Sequence, residues 1–194
     1  ITDQSNKTGL FILTGSQQFE IFNNISQSLA GRTAIVRLLP FSYREIYKGK
    51  NPSLEEILYT GFYPRIFDKN ISPTDMLSFY TDTYLERDVR NLVNIKDLSK
   101  FEVFIRICAS HTGQIVNLTN ISNQCGVTHN TVKFWLKVLE ASFIIKLQKP
   151  YYKNINKRLI KAPKLYFLDV GLASFLLGVD NKDQLKYHPL KGYL

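Results

Sequence analysis

The tripeptide Gly126-Val127-Thr128 separates two short apolar runs. Before it, Leu118, Ile121 and Cys125 recur at three- and four-residue steps; after it, Val132, Trp135, Leu136 and Leu139 do the same. Glycine suits a left-handed residue that ends a helix, and threonine suits the cap that opens the next. Val127 is placed to pack between the two. The pattern predicts a helix-turn-helix, in which the second helix enters the major groove of DNA. Thr128, His129, Asn130, Lys133 and Lys137 lie at the head or on the outer face of that second helix. Asparagine pairs with adenine edges, and lysine with guanine edges or phosphates.

Two apolar segments follow, Phe143-Ile144-Ile145-Lys146-Leu147 and Lys164-Leu165-Tyr166-Phe167-Leu168, which read as paired strands. The loop between them carries Lys153, Lys157, Arg158 and Lys161, preceded by Tyr151 and Tyr152. Two strands after the second helix make a wing, so residues 98–170 are expected to form a winged helix-turn-helix. The charge is concentrated here. The chain has a formal net charge of +9. Residues 1–140 hold 15 basic and 13 acidic side chains, against 10 and 3 in residues 141–194. A basic run is compatible with a merely solvated loop. Its position after the second helix, and the lack of acidic residues between Ala141 and Leu168, favour contact with a polyanion such as double-stranded DNA.

The front of the chain reads differently. Gly9-Leu10-Phe11-Ile12-Leu13 resembles a strand buried on both faces. Ser16 can cap a helix using Phe19, Phe22, Ile25 and Leu29, which Gly31 ends, and Ala34 to Leu39 reads as a second strand closed by Pro40. Strand, helix, strand is a βαβ unit, the remnant of a parallel α/β sheet. Ser53 opens a short helix over Leu54 to Leu58, Gly61-Phe62-Tyr63-Pro64 is a turn, and Ser72-Pro73-Thr74-Asp75 starts a long amphipathic helix with a capping box. A further helix uses Phe101, Phe104, Ile105 and Cys108. The expected class is therefore α+β, mostly helical: a parallel-sheet remnant, a helical segment and a winged helix.

Several function classes find no footing. The phosphate-loop pattern Gly-x-x-x-x-Gly-Lys-Ser/Thr is absent. His111, His129 and His188 lack metal-ligand spacing with Cys108 or Cys125, so no metal site is predicted. Two cysteines in 194 residues do not make a disulfide scaffold, which suits a cytoplasmic protein. No apolar run is long enough to span a bilayer, and no signal pattern opens the chain. Asp169 after an apolar strand has the look of a magnesium ligand, but it reads better as the cap of a helix over residues 171–177. The chain begins at Ile1 and is read as a fragment of a longer protein.

Taken in order, Phe11-Ile12-Leu13-Thr14-Gly15-Ser16, Leu29-Ala30-Gly31-Arg32 and Leu39-Pro40-Phe41-Ser42-Tyr43-Arg44-Glu45 resemble the latter half of an AAA-type ATPase module. Gly61-Phe62-Tyr63-Pro64, Tyr84-Leu85-Glu86-Arg87-Asp88-Val89 and Pro163 to Leu172 resemble the region of unknown function that follows it in a large group of bacterial and archaeal ATP-binding proteins. The resemblance implies that the intact protein binds ATP and Mg, with Ser16 at the sensor position near the γ-phosphate and Arg32 as a nucleotide-sensing arginine. It also implies that the phosphate loop precedes Ile1, so this chain alone is expected to hold no cofactor and not to hydrolyse ATP. The expected parts are a remnant of the ATPase module (1–50), a helical lid or linker (51–97), the winged helix (98–170) and the start of a further domain (171–194). The function expected is DNA binding through the basic wing. The alternative is a winged helix that serves intramolecular regulation, self-association or another protein contact.

Overall fold

The computed structural model describes residues 12, 34, 36–84, 98–151, 153 and 161–194. The chain divides into two units, residues 1–36 and 37–194. The expected strand over residues 9–13, the Ser16 cap and its helix lie outside the described residues, as does the continuation of the long helix past Tyr84.

Unit two opens with α1 (Tyr43–Ile46), α2 (Leu54–Thr60), α3 (Pro64–Lys69) and α4 (Pro73–Thr83). Ser53 caps α2 by accepting the Glu56 N–H. Pro64 and Pro73 begin α3 and α4, where a missing N–H costs nothing. Gly61, with φ +65°, turns the chain between α2 and α3. Three helices follow, α5 (Leu98–Ser110), α6 (Leu118–Cys125) and α7 (His129–Ala141). Strands β1 (Ile145–Gln148) and β2 (Lys164–Phe167) then pair antiparallel, Ile145 opposite Phe167 and Gln148 opposite Lys164. Ile115, between α5 and α6, adds an antiparallel bridge to Lys164. After β2 come α8 (Val170–Leu176) and a 3-10 turn, Lys182–Lys186.

The core forms where α5, α6 and α7 meet the hairpin. Phe101, Phe104 and Trp135 make an aromatic cluster, with Trp135 at 5.2 Å from each phenyl ring. Ile121, Val132 and Leu139 lie with Ile145 and Leu165 in the same buried set. Burying one such side chain contributes about 2–3 kcal/mol, so these helices are held by packing more than by propensity. Residues 170–194 return to the front of the unit. Helix α8 packs on α2, α4 and α5, Lys182 pairs with Glu56 at 2.7 Å, and Lys191 pairs with Glu55.

The turn at Gly126 has the expected geometry. Gly126 has φ +62°, and the Val127 N–H reaches back to the Ser122 carbonyl. A Cβ at Gly126 meets open space. Gly126→Ala is therefore expected to cost only the left-handed backbone penalty, about 1 kcal/mol, read as a lowered urea midpoint with an unchanged slope. The end of α7 is closed the same way by a less suited residue. Phe143 takes φ +56°, with the Phe143 N–H on the Glu140 carbonyl and the Ile144 N–H on that of Leu139. The Arg37 guanidinium lies over its ring at 5.3 Å.

Three expectations need correction. Residues 36–39 form no strand; Val36 and Leu38 are 82% and 94% exposed. A strand exists only as part of a ladder, and no described segment pairs with these residues. The first hairpin strand starts at Ile145, not Phe143, because Phe143 is spent on closing α7. The capping box expected at Ser72 and Asp75 does not form, since the Ser72 side chain accepts no cap bond. A Ser-x-x-Glu pair acts instead at α1. The Glu45 carboxylate accepts both the Ser42 N–H at 2.7 Å and its hydroxyl at 2.8 Å, and those bonds hold the carboxyl below its usual range.

Candidate nucleic-acid interface

Helix α7 has two faces of opposite character. Val132, Trp135, Leu136 and Leu139 are buried in the core shared with α5, α6 and the hairpin, and Val138 is also buried. His129, Asn130, Lys133 and Lys137 are all exposed on the other side. Phe134 stands among them, 48% exposed. The Thr128 hydroxyl accepts the Thr131 N–H at 3.2 Å and also meets the Thr131 hydroxyl at 2.9 Å. Its first task is to satisfy an orphan donor at the helix start.

The hairpin also has an exposed polar face. Ile145, Leu165 and Phe167 point to the core, so the alternate positions Lys146, Gln148, Lys164 and Tyr166 are exposed. Lys146 stands opposite Tyr166 and Gln148 opposite Lys164. Lys153 and Lys161, at the two ends of the connecting loop, are exposed. Lys157 and Arg158 lie outside the described residues, as do Ser16 and Arg32. Between Val103 and Leu168 the sequence has ten lysines and arginines and one acidic residue, Glu140. That carboxylate is engaged: its Oε1 accepts the Leu147 N–H at 3.0 Å, at the open edge of β1.

A second feature is not visible in the sequence. Asp169 is buried, 1% exposed. Its Oδ1 accepts the Leu172 N–H and caps α8, while its Oδ2 accepts the Phe62 N–H, each at 2.7 Å. The cap agrees with the sequence; the bond to Phe62, 107 residues away, has no counterpart in it. Burial pushes the carboxyl up to about 6, against the opposing pull of its backbone donors. Gly61 and Gly171 bring the two backbones together beside it. A Cβ on Gly171 would lie 2.7 Å from the Gly61 Cα. The Phe62 carbonyl in turn accepts the Phe41 N–H at 2.9 Å.

Residues 51–183, more than half of the chain, match the family described as Domain of unknown function (DUF8612). The chain belongs to that family. Residues 1–47 match the AAA domain family, so an AAA-type segment precedes the family domain. An uncharacterized protein of Mycobacterium tuberculosis (strain H37Rv) is 26% identical over 195 residues, covering 99% of this chain and 43% of the relative. An uncharacterized protein of Haemophilus influenzae is 25% identical over 183 residues, 86% of this chain and 46% of the relative. Another, from the archaeon Methanocaldococcus jannaschii, is 25% identical over 197 residues, 89% and 44%. The chain thus spans less than half the length of these relatives. No solved structure matches it.

Among the described residues no group of three or more His, Cys, Asp and Glu is placed to hold a metal ion. The sequence has no glycine-rich phosphate loop followed by Lys and Ser or Thr. Among the described residues no helix is long and apolar enough to cross a membrane.

Proposed function

We propose that this chain is the C-terminal part of an AAA-type nucleotide-binding protein whose residues 98–170 form a winged helix that binds double-stranded DNA. The observation that carries the reading is the order of parts: helix α5, the bridge at Ile115, α6, a glycine turn, α7 and an antiparallel hairpin, with the outward surface basic and its one carboxylate engaged. Asn130, Lys133 and Lys137, with His129, are the groups set to meet base edges and phosphates in the major groove. Lys153, Lys157, Arg158 and Lys161 reach phosphates from the wing. In the intact protein ATP and Mg bind to the AAA module. Ser16 then sits near the γ-phosphate and Arg32 senses the nucleotide. The charged surface is too one-sided for a general protein contact, which more often mixes both signs.

Fluorescence anisotropy with a short duplex, titrated across salt concentrations, tests the DNA reading. Affinity is expected to fall steeply with salt. Replacing both Lys133 and Lys137 by alanine should reduce the logarithmic slope by about 0.9 for each phosphate that is no longer neutralised. Undetectable binding at low salt, or an unchanged slope, refutes it. The exposed Phe134 ring is the one observation that favours the second reading, an intramolecular or self-association surface. That reading expects a change of oligomeric state on Phe134→Ala and no response to DNA.

A further inference from the structure

We propose that the exposed face of α7 reads thymine. Phe134 lies against the 5-methyl group of a thymine in the major groove, Asn130 one turn earlier pairs with adenine, and the preferred ligand is duplex DNA rich in A·T pairs. This inference rests on the DNA-binding reading above and names the class of sequence that the same surface takes.

Residues four apart on a helix stand on one face, so Asn130 and Phe134 project together, and Lys133 and Lys137 flank them. A lone exposed aromatic needs no explanation on an ordinary surface. Phe134 is not on an ordinary surface. Its helix presents an amide, a phenyl ring and two ammonium groups, and no carboxylate lies within reach in sequence other than Glu140, which is bound to the Leu147 N–H. A partner that suits this set must be anionic overall and yet carry an isolated apolar group beside hydrogen-bonding edges. A duplex major groove has that combination. Its walls are phosphates, its adenine edges offer a donor and an acceptor, and the thymine methyl is the apolar group it displays. A guanine·cytosine pair offers Phe134 no methyl and gives Asn130 a poorer pairing. Lysines would meet no charge on an apolar protein face, so the same four residues fit such a partner less well.

The test compares short fluorescent duplexes that differ only in whether uracil replaces thymine, which deletes the methyl group and keeps the pairing. The full 194-residue chain is used. The wild type should bind the thymine duplex more tightly, by about fourfold for the one methyl group that uracil lacks. It should also prefer A·T-rich over G·C-rich duplexes. In Phe134→Ala the thymine and uracil duplexes should bind equally. In the double Lys133→Ala, Lys137→Ala variant every duplex should weaken while the thymine-to-uracil ratio persists. Because Phe134 is half exposed, Phe134→Ala is expected to keep the wild-type unfolding midpoint, which confirms that the comparison is made on folded protein. A wild-type ratio of one, or a ratio that survives Phe134→Ala, overturns the inference while leaving DNA binding intact. Failure to bind any duplex at low salt overturns both. A dimer that dissociates on Phe134→Ala with no change in the ratio assigns the ring to a protein contact and overturns it as well.

Discussion

Gly171→Ala is expected to be among the most damaging single methyl additions in this chain, lowering stability by about 3 kcal/mol. The added carbon would lie 2.7 Å from both the Cα and the N of Gly61 and 2.9 Å from the Thr60 carbonyl carbon. All three are backbone atoms, so no side chain can swing aside. Relief requires α2 and α8 to part, which exposes Leu58 and Leu172, both buried. Gly178→Ala is the control. Gly178 has φ +82° but open space around its Cβ position, so it carries the conformational penalty without the collision. Urea unfolding of the two variants should give clearly different midpoints. Equal losses would mean that the Gly61–Gly171 approach is not a tight contact.

Asp169→Asn is expected to destabilise the fold at pH 7 by about 2–3 kcal/mol, since one of two buried N–H donors, from Phe62 or Leu172, then faces an amide NH₂. The pH dependence has a definite sign. Burial raises the folded-state carboxyl to about 6, above its ordinary value of 3.8, so the folded protein binds the proton more tightly than the unfolded chain does. The stability this adds is complete below the unfolded value and is lost as pH rises through about 6. Asn cannot titrate. The stability difference between wild type and Asp169→Asn should therefore grow as pH falls from 7 to 4, by about 2 kcal/mol. Paired denaturant titrations at several pH values measure it. A difference that stays flat would mean that the backbone donors fully offset burial.

Helices α6 and α7, the turn between them and the hairpin are legible in the sequence because their signals are local. Gly126 determines a turn by its backbone freedom and Thr128 a cap by its hydroxyl, and Val132 to Leu139 mark a buried face by spacing. Asp169 as a helix cap is legible for the same reason. What Asp169 does with its second oxygen is not, because Phe62 lies 107 residues away and no pattern in one sequence joins them. The motifs around Gly61 and Gly171 are each visible, but the reason both are glycine appears only when the backbones touch. Residues 36–39 mislead because a mostly apolar run suggests a strand without supplying its neighbour. Phe134 escapes notice because Trp135 and Leu136 follow it, so it reads as part of the apolar run. Among the proposed contacts, Lys133, Lys137, Lys153 and Lys161 are exposed, whereas Ser16, Arg32, Lys157 and Arg158 fall outside the described residues.

The peptide of Phe62 is gripped from both sides, its carbonyl by the Phe41 N–H and its N–H by Asp169, two residues beyond the last residue of β2. Along the chain Phe41 and Asp169 are separated by the whole helical region; through these bonds they are one residue's width apart. The last residues of the AAA match and the segment that follows β2 are thus linked through one residue by two hydrogen bonds.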